Sequence, residues 1–202
     1  MADLRTAEPD TKIYEIRWHG RGGQGAVSSA QILAEAAFYQ GFKGVAAAPF
    51  FGAERRGAPV TASTRFSHEE LRVYSQIEHP DIVVVLEEAL IVTGNATAGL
   101  KPGGWLIVNS TKQPADLGVE GDFRIATADA FGIAQRLGLL VAGNAIVNTP
   151  ILGAFVRATG LVSLDCIQRA IESRFPPAAA RRNAEAARLT HGATLLGASQ
   201  SR

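Results

Sequence analysis

The chain has 202 residues, 47% hydrophobic and 19% charged, with a formal charge of +1, so it can bury a core but lacks the cationic surplus of a nucleic-acid surface. Its only cysteine, Cys166, excludes an internal disulfide, a cysteine-based zinc site and an iron–sulfur cluster held by this chain, each of which needs more than one. No apolar run approaches the ~20 residues of a membrane span and the N-terminus lacks a signal peptide's apolar stretch, so the expectation is a cytoplasmic protein with no membrane or nucleic-acid partner.

Residues 1–12 are polar and mixed in charge and read as a flexible lead-in. IYEIRW (13–18) alternates apolar with polar positions and runs into glycines, which predicts a strand ending in a loop. AVSSAQILAEAAFYQ (26–40) places Ile32, Ala36 and Tyr39 at helical spacing, with Gly41 as a stop. KGVAAAP (43–49) and VTASTRFS (60–67) read as the second and third strands. DIVVVLE (81–87) does not alternate, the pattern of a strand covered on both faces of a parallel sheet.

EALIVTGNATAGL then reads as a helix or helical turn, KPGG (101–104) as a turn, and WLIVN (105–109) and FRIAT (123–127) as strands. ADAFGIAQRLG (128–138) supplies another amphipathic helix. From about residue 146 only helices are expected: NTPILGAFVRATG, SLDCIQRAIESRF and AAARRNAEAARLTHGATLL, with Pro176 and Pro177 dividing the last two. The fold class is therefore α/β, a Rossmann-like open, mostly parallel sheet with a helical C-terminal segment. The main domain spans 13–175, and 176–202 forms a C-terminal helical extension.

The sharpest local feature is HGRGGQG, in which Gly20, Gly22 and Gly25 satisfy G-x-G-x-x-G between a strand and a helix. Glycines there allow a tight turn and close backbone approach, and the helix N-terminus offers N–H groups to a phosphate; the same turn also serves tight strand–helix packing. The acidic residue that would hold an NAD ribose is missing, because the second strand ends in Pro49, Phe50 and Phe51, and Glu54 comes late. Arg55 and Arg56 follow Glu54 in a loop expected at the same sheet edge as the glycines. Arginines in that position suit phosphates or an acidic partner surface, or pair with Glu54.

Among other residues, His19 reads as a group that orients the loop, while His68, His79 and His191 share no metal-like spacing. Asn109 is expected in a turn at the sheet's edge, where it could also face a ligand, and Asn144, Asn148 and Thr149 as caps of the ILGAF helix, with a place beside the ligand as the alternative. Cys166 falls in the apolar rhythm of Leu164, Ile167 and Ile171 and reads as a buried thiol. The Phe50–Phe51 pair is either core or a subunit contact.

EIRWHGRGGQGAVSSAQILAEAAF, FFGAERRGAPVTASTRFS, QIEHPDIVVVLEEAL and LKPGGWLIVNS, in that order, resemble the gamma subunit of the thiamine-diphosphate-dependent 2-oxoacid:acceptor oxidoreductases, the pyruvate:ferredoxin type. The resemblance implies a subunit of a complex that oxidatively decarboxylates a 2-oxoacid to an acyl-CoA. Pyruvate is the family default, and a branched-chain or aromatic acid such as phenylglyoxylate is the other expectation. It places thiamine diphosphate, Mg and [4Fe-4S] clusters on thiamine-binding and iron–sulfur partner subunits, with ferredoxin or an NAD-linked flavin subunit as acceptor.

This chain would help bind coenzyme A through Gly20, Arg21, Gly22, Gly23, Gln24 and Gly25, with Arg55 and Arg56 as cations, and would supply no catalytic acid, base or nucleophile. The segment AAAPFFGAERRG departs from many relatives, which carry a Ser near the first Phe and a Pro before the Glu. Two rivals stand beside this reading: a free-standing NADP-binding reductase, and a scaffold subunit with an empty glycine loop.

Overall fold

The alternation in the first strand sets the architecture. In β1 (Ile13–Arg21), Ile16 and Trp18 are fully buried on one face of the sheet, and Arg17 and His19 occupy the other. The structure, a computed structural model, describes residues 12–50, 58–72 and 75–197, so the expected lead-in lies outside it except for Lys12. After β1 come α1 (Ala26–Gln40), β2 (Gly44–Phe50), β3 (Pro59–Ser67) and β4 (Ile82–Val85). A single turn, α2 (Leu90–Thr93), leads to β5 (Gly104–Asn109), a 3-10 turn at Pro114–Leu117, β6 (Phe123–Ala128) and α3 (Ala130–Arg136). The C-terminal third holds a small hairpin, β7 (Leu140–Val141) and β8 (Asn144–Ala145), then α4 (Pro150–Thr159), α5 (Leu164–Glu172), α6 (Pro177–Ala193) and β9 (Leu195–Leu196).

A seven-stranded sheet has the order β2-β3-β1-β4-β5-β6-β9. β1, β4, β5 and β6 are mutually parallel, and β2 runs the same way because β3 is antiparallel to both β1 and β2. The mostly parallel α/β sheet is thus as expected, with two differences. The second and third strands pair antiparallel with each other, an antiparallel element within the parallel sheet. The C-terminal region also holds more than helices, because β9 returns to pair antiparallel with β6 at Ala126 and Thr127. A two-residue strand carries no periodicity, so nothing in LL distinguishes it from a helix end.

One face of the sheet packs Ile16, Trp18, Ile82, Val84, Trp105 and Ile107 against α1 and α4, and α5 and α6 pack on those two helices. The other face packs Val83, Val85, Leu106 and Val108 against Leu90, Ile91 and Ala96 in and after α2. Valine and isoleucine buried on both sides of β4 and β5 explain why those runs do not alternate. Helix α1 begins and ends on left-handed glycines, Gly25 and Gly41, and the Gly41 N–H returns to the Phe38 carbonyl.

A buried relay anchors α1 to the sheet: Trp18 Nε1 donates to Thr64 Oγ1 (3.0 Å), whose hydroxyl donates to the Ala30 carbonyl (2.9 Å). The C-terminal α6 buries Ala180, Asn183, Ala186, Ala187 and Thr190, and it crosses α4 closely. A Cβ on Gly153 would lie 1.9 Å from the Ala187 carbonyl oxygen. Gly153→Ala should therefore force the two helices apart and cost about 1–3 kcal/mol. Denaturant unfolding of the chain checks this, and a variant as stable as the parent refutes the close crossing.

Candidate functional site

The chain goes one way from β1, through α1 to β2 and β3, and the other way through β4, β5 and β6. In an open α/β sheet the crevice at such a reversal, outside the carboxyl ends of the strands, is where ligands bind. Two segments border it: the glycine loop after β1 and Leu86–Glu88 after β4, joined where the Leu86 N–H donates to the His19 carbonyl (2.8 Å).

The glycines divide the work. Gly20 still belongs to β1, and a Cβ there would lie 3.1 Å from Leu86 Cδ1 and 3.2 Å from Ala26 Cβ, so it serves strand–helix packing. The Gly22 N–H donates to the Ala58 carbonyl (2.9 Å). Gly23 and Gly25 have φ near +93° and +92°, the left-handed region, and a Cβ on Gly25 would meet Asn148 Cβ at 2.7 Å. Helix α1 starts on Gly25 without a side-chain cap and with no acid in its first turn. Its first intrahelical donor is Ser29 (N–H to the Gly25 carbonyl, 2.8 Å), which leaves the N–H groups of Ala26, Val27 and Ser28 without helical acceptors.

These groups open onto a cleft of about 370 Å³ lined by Arg21, Gly22, Gly23, Gly25, Ala26–Ser28, Val60, Val141, Ile146 and Asn148. Its floor is tied down by Ser29 Oγ, which donates to the carbonyls of Gly25 and Asn148 (3.0 Å each). The cleft thus combines donors on one wall with apolar side chains on the others, a mixture suited to a ligand with an anionic part and an apolar arm.

Arg21 and Gln24 are also engaged beside the cleft. Arg21 Nε pairs with Glu87 Oε1 (2.7 Å), Gln24 Nε2 donates to Glu87 Oε2 (2.7 Å), and the Arg21 N–H donates to Gln24 Oε1 (2.8 Å). Glu87 did not figure among the sequence candidates. Its place at the carboxyl end of the strand beside β1 is the signal that would have found it. Asn148 now lines the cleft, and its Oδ1 accepts the Thr149 N–H (2.8 Å). Thr149 stands at the N-cap position of α4 as expected, but with helical backbone (φ −84°, ψ −40°) its side chain makes no capping bond; its hydroxyl donates to Asn183 Oδ1 on α6 (2.6 Å).

Arg55, Arg56 and Phe51 lie outside the described residues, but Phe50 and Ala58, which flank that segment, stand at the same sheet edge as the glycine loop. Phe50 is exposed and so not core. Asn109 braces the edge, donating to the Leu86 carbonyl (3.0 Å) and accepting the Phe131 N–H (3.1 Å). Asn144 is exposed, its side chain donating to the nearby Ala142 carbonyl (3.2 Å). Cys166 is buried and unpaired. Among the described residues no cluster of three or more His, Cys, Asp or Glu side chains is placed to hold a metal, and no helix is long and apolar enough to cross a membrane.

The chain matches the family described as pyruvate ferredoxin/flavodoxin oxidoreductase over residues 15–193. It is 49% identical over 187 residues to the pyruvate/ketoisovalerate oxidoreductases common subunit gamma of Thermococcus kodakarensis, covering 91% of this chain and 98% of that one. It is 46% identical over 183 residues to pyruvate synthase subunit PorC of Methanocaldococcus jannaschii, again covering 91% and 98%. Among solved structures, the pyruvate oxidoreductase subunit PORC of Thermotoga maritima superposes with a TM-score of 0.80 at 38% identity, covering 93% of this chain and 99% of that one. The chain belongs to the pyruvate ferredoxin/flavodoxin oxidoreductase family, as a gamma-type subunit of a multi-subunit 2-oxoacid oxidoreductase.

His19, next to the glycine loop, gives the site a pH signature. Its buried ring accepts from Arg17 Nε at Nε2 (3.1 Å), and burial, then the Arg17 charge, hold its pKa down to about 4. The unfolded chain takes up this proton below about pH 6.5 while the folded chain does not until about pH 4, so stability falls as pH drops through that window. The loss attributable to His19 should reach about 3 kcal/mol at most. Unfolding free energies of the parent and His19→Gln, compared from pH 7 to 4, should converge as the pH falls; parallel curves would contradict it.

Proposed function

We propose that the glycine cleft binds the phosphate-bearing part of coenzyme A within a complex that oxidatively decarboxylates a 2-oxoacid. The observation that carries this reading is the uncapped start of α1, whose donors face a cleft of about 370 Å³ with no carboxylate among its described lining residues. Coenzyme A has a diphosphate and a 3′-phosphate, which need N–H and guanidinium donors, and an apolar pantetheine arm that suits Val27, Val60, Val141 and Ile146. The N–H groups of Ala26, Val27 and Ser28 would take the diphosphate, with Gly22, Gly23 and Gly25 allowing close approach. Arg55 and Arg56, in the segment that returns to the loop at Ala58, are the cations proposed for the remaining phosphate charge.

The redox and decarboxylation chemistry belongs to thiamine diphosphate with Mg and to [4Fe-4S] clusters on partner subunits, with ferredoxin as electron acceptor. What this chain contributes is placement: a cleft that fixes the phosphates directs the thiol toward the partner's reacting carbon and raises its effective concentration. The 2-oxoacid is pyruvate in this reading, as the names of the relatives suggest. The Thermococcus kodakarensis relative is named as common to pyruvate and ketoisovalerate oxidoreductases, which supports placing the choice of acid on the other subunits.

Gly25→Ala puts a side chain at φ +92° and against Asn148, so it should spoil the first turn of α1. In the assembled complex its apparent KM for coenzyme A should rise about tenfold, a loss of ~1.4 kcal/mol. Arg55→Ala and Arg56→Ala should weaken coenzyme A saturation in the same direction, while release of CO2 from the 2-oxoacid without coenzyme A continues in all three. Parental coenzyme A saturation in all three variants would overturn the proposal.

A further inference from the structure

We infer that Glu87 is a positioning residue for the coenzyme site, holding the glycine loop in its binding shape although its own charge is of the wrong sign for a phosphate. This inference rests on the coenzyme A reading of the cleft. The loop RGGQG contains three glycines, two of them left-handed, and such a segment loses much backbone entropy when ordered. Something must hold it before the ligand arrives, or binding would bear that cost.

The structure supplies a closed ring of hydrogen bonds. One Glu87 oxygen takes Arg21 Nε and the other takes Gln24 Nε2, each at 2.7 Å. Gln24 closes the ring by accepting the Arg21 N–H at Oε1, 2.8 Å. Every member is specified by chemistry. A carboxylate can accept two donors of this kind side by side, and an amide can accept at one atom while donating at the other. The ring joins the end of β1 to the residues following β4, across the sheet's reversal point, and fixes the turn immediately before Gly25 and the α1 donors.

Electrostatics and positioning make opposite predictions for removing the carboxylate. If Glu87 acted on the ligand only through its charge, Glu87→Ala would relieve repulsion and lower the KM for coenzyme A. As a positioning residue, its loss should raise that KM about tenfold, the weight of a charge-assisted hydrogen-bond pair. The turnover at saturating coenzyme A should stay within about twofold, because no reacting atom is touched. Glu87→Gln, which keeps one acceptor, should fall between the parent and Glu87→Ala.

Gln24→Ala opens the same ring without removing a charge and should also raise the KM. The Glu87→Ala/Gln24→Ala pair should be no worse than Glu87→Ala alone. The measurement is steady-state kinetics of the assembled complex with coenzyme A varied. A KM at or below the parental value in Glu87→Ala and Gln24→Ala, beside a raised KM in Gly25→Ala, overturns the positioning role alone. Parental values in all of them overturn the coenzyme reading together with it.

Discussion

The start of α1 is fixed from three sides, and the cleft takes its shape from that fixation. Below, Gly20 lets the helix approach the strand until Ala26 and Leu86 would crowd even a methyl group. Further along, the Trp18–Thr64–Ala30 relay satisfies buried polar groups that would otherwise be costly, and in doing so sets how α1 lies over β1 and β3. At the end, Ser29 holds the Asn148 segment against the first turn. With these contacts made, the helix donors have no freedom to swing toward protein acceptors, and they remain directed into the cleft.

This geometry was only partly legible in the sequence. Strong local signals came through: the 26–40 helix lies between its glycines as expected, and the unalternating valines of β4 lie at the centre of the sheet. The hairpin between β2 and β3 was not legible as such, because an alternating apolar run says that a segment is a strand without saying which neighbour it pairs with. Glu87 was missed for a related reason. Its partners are 66 and 63 residues away in sequence, so no local spacing announces them. Thr149 is the N-cap residue of α4 as the sequence suggests, but its helical backbone leaves the hydroxyl without a capping bond, and its partner is Asn183 on a distant helix, which no local spacing announces.

The two faces of the sheet differ in how they are stabilised. The face carrying Trp18, Ile82 and Ile107 is covered by α1 and α4, with α5 and α6 packed on those helices, and it holds the larger buried apolar cluster. The opposite face has the short α2 and its following turns over β4 and β5, while on β1 and β3 it carries Glu15, Arg17, His19 and Arg65. Arg65 pairs with Glu15, and Lys101 reaches both Glu15 and Asp81, so the charges there neutralise one another in place of an apolar layer. Such pairs add modest stability, and a thinly covered face is a reasonable consequence of a chain that works inside a larger assembly.

Arg17 shows how polar residues can do the work of a core on that face. Its guanidinium donates to the carbonyls of Ala96, Ala98 and Ile77 while its Nε faces His19. Burial lowers its pKa, as desolvation of a cation must, while three carbonyls and an imidazole accept from its N–H groups. The arrangement requires His19 to stay neutral, because only the neutral ring can accept from Arg17. A cation so committed is not available to a phosphate, although it lies only three residues before Gly20 on the same strand. In the coenzyme A reading proposed above, the positive charge for the phosphates is therefore assigned to the helix donors and to Arg55 and Arg56, and not to the sheet beneath them.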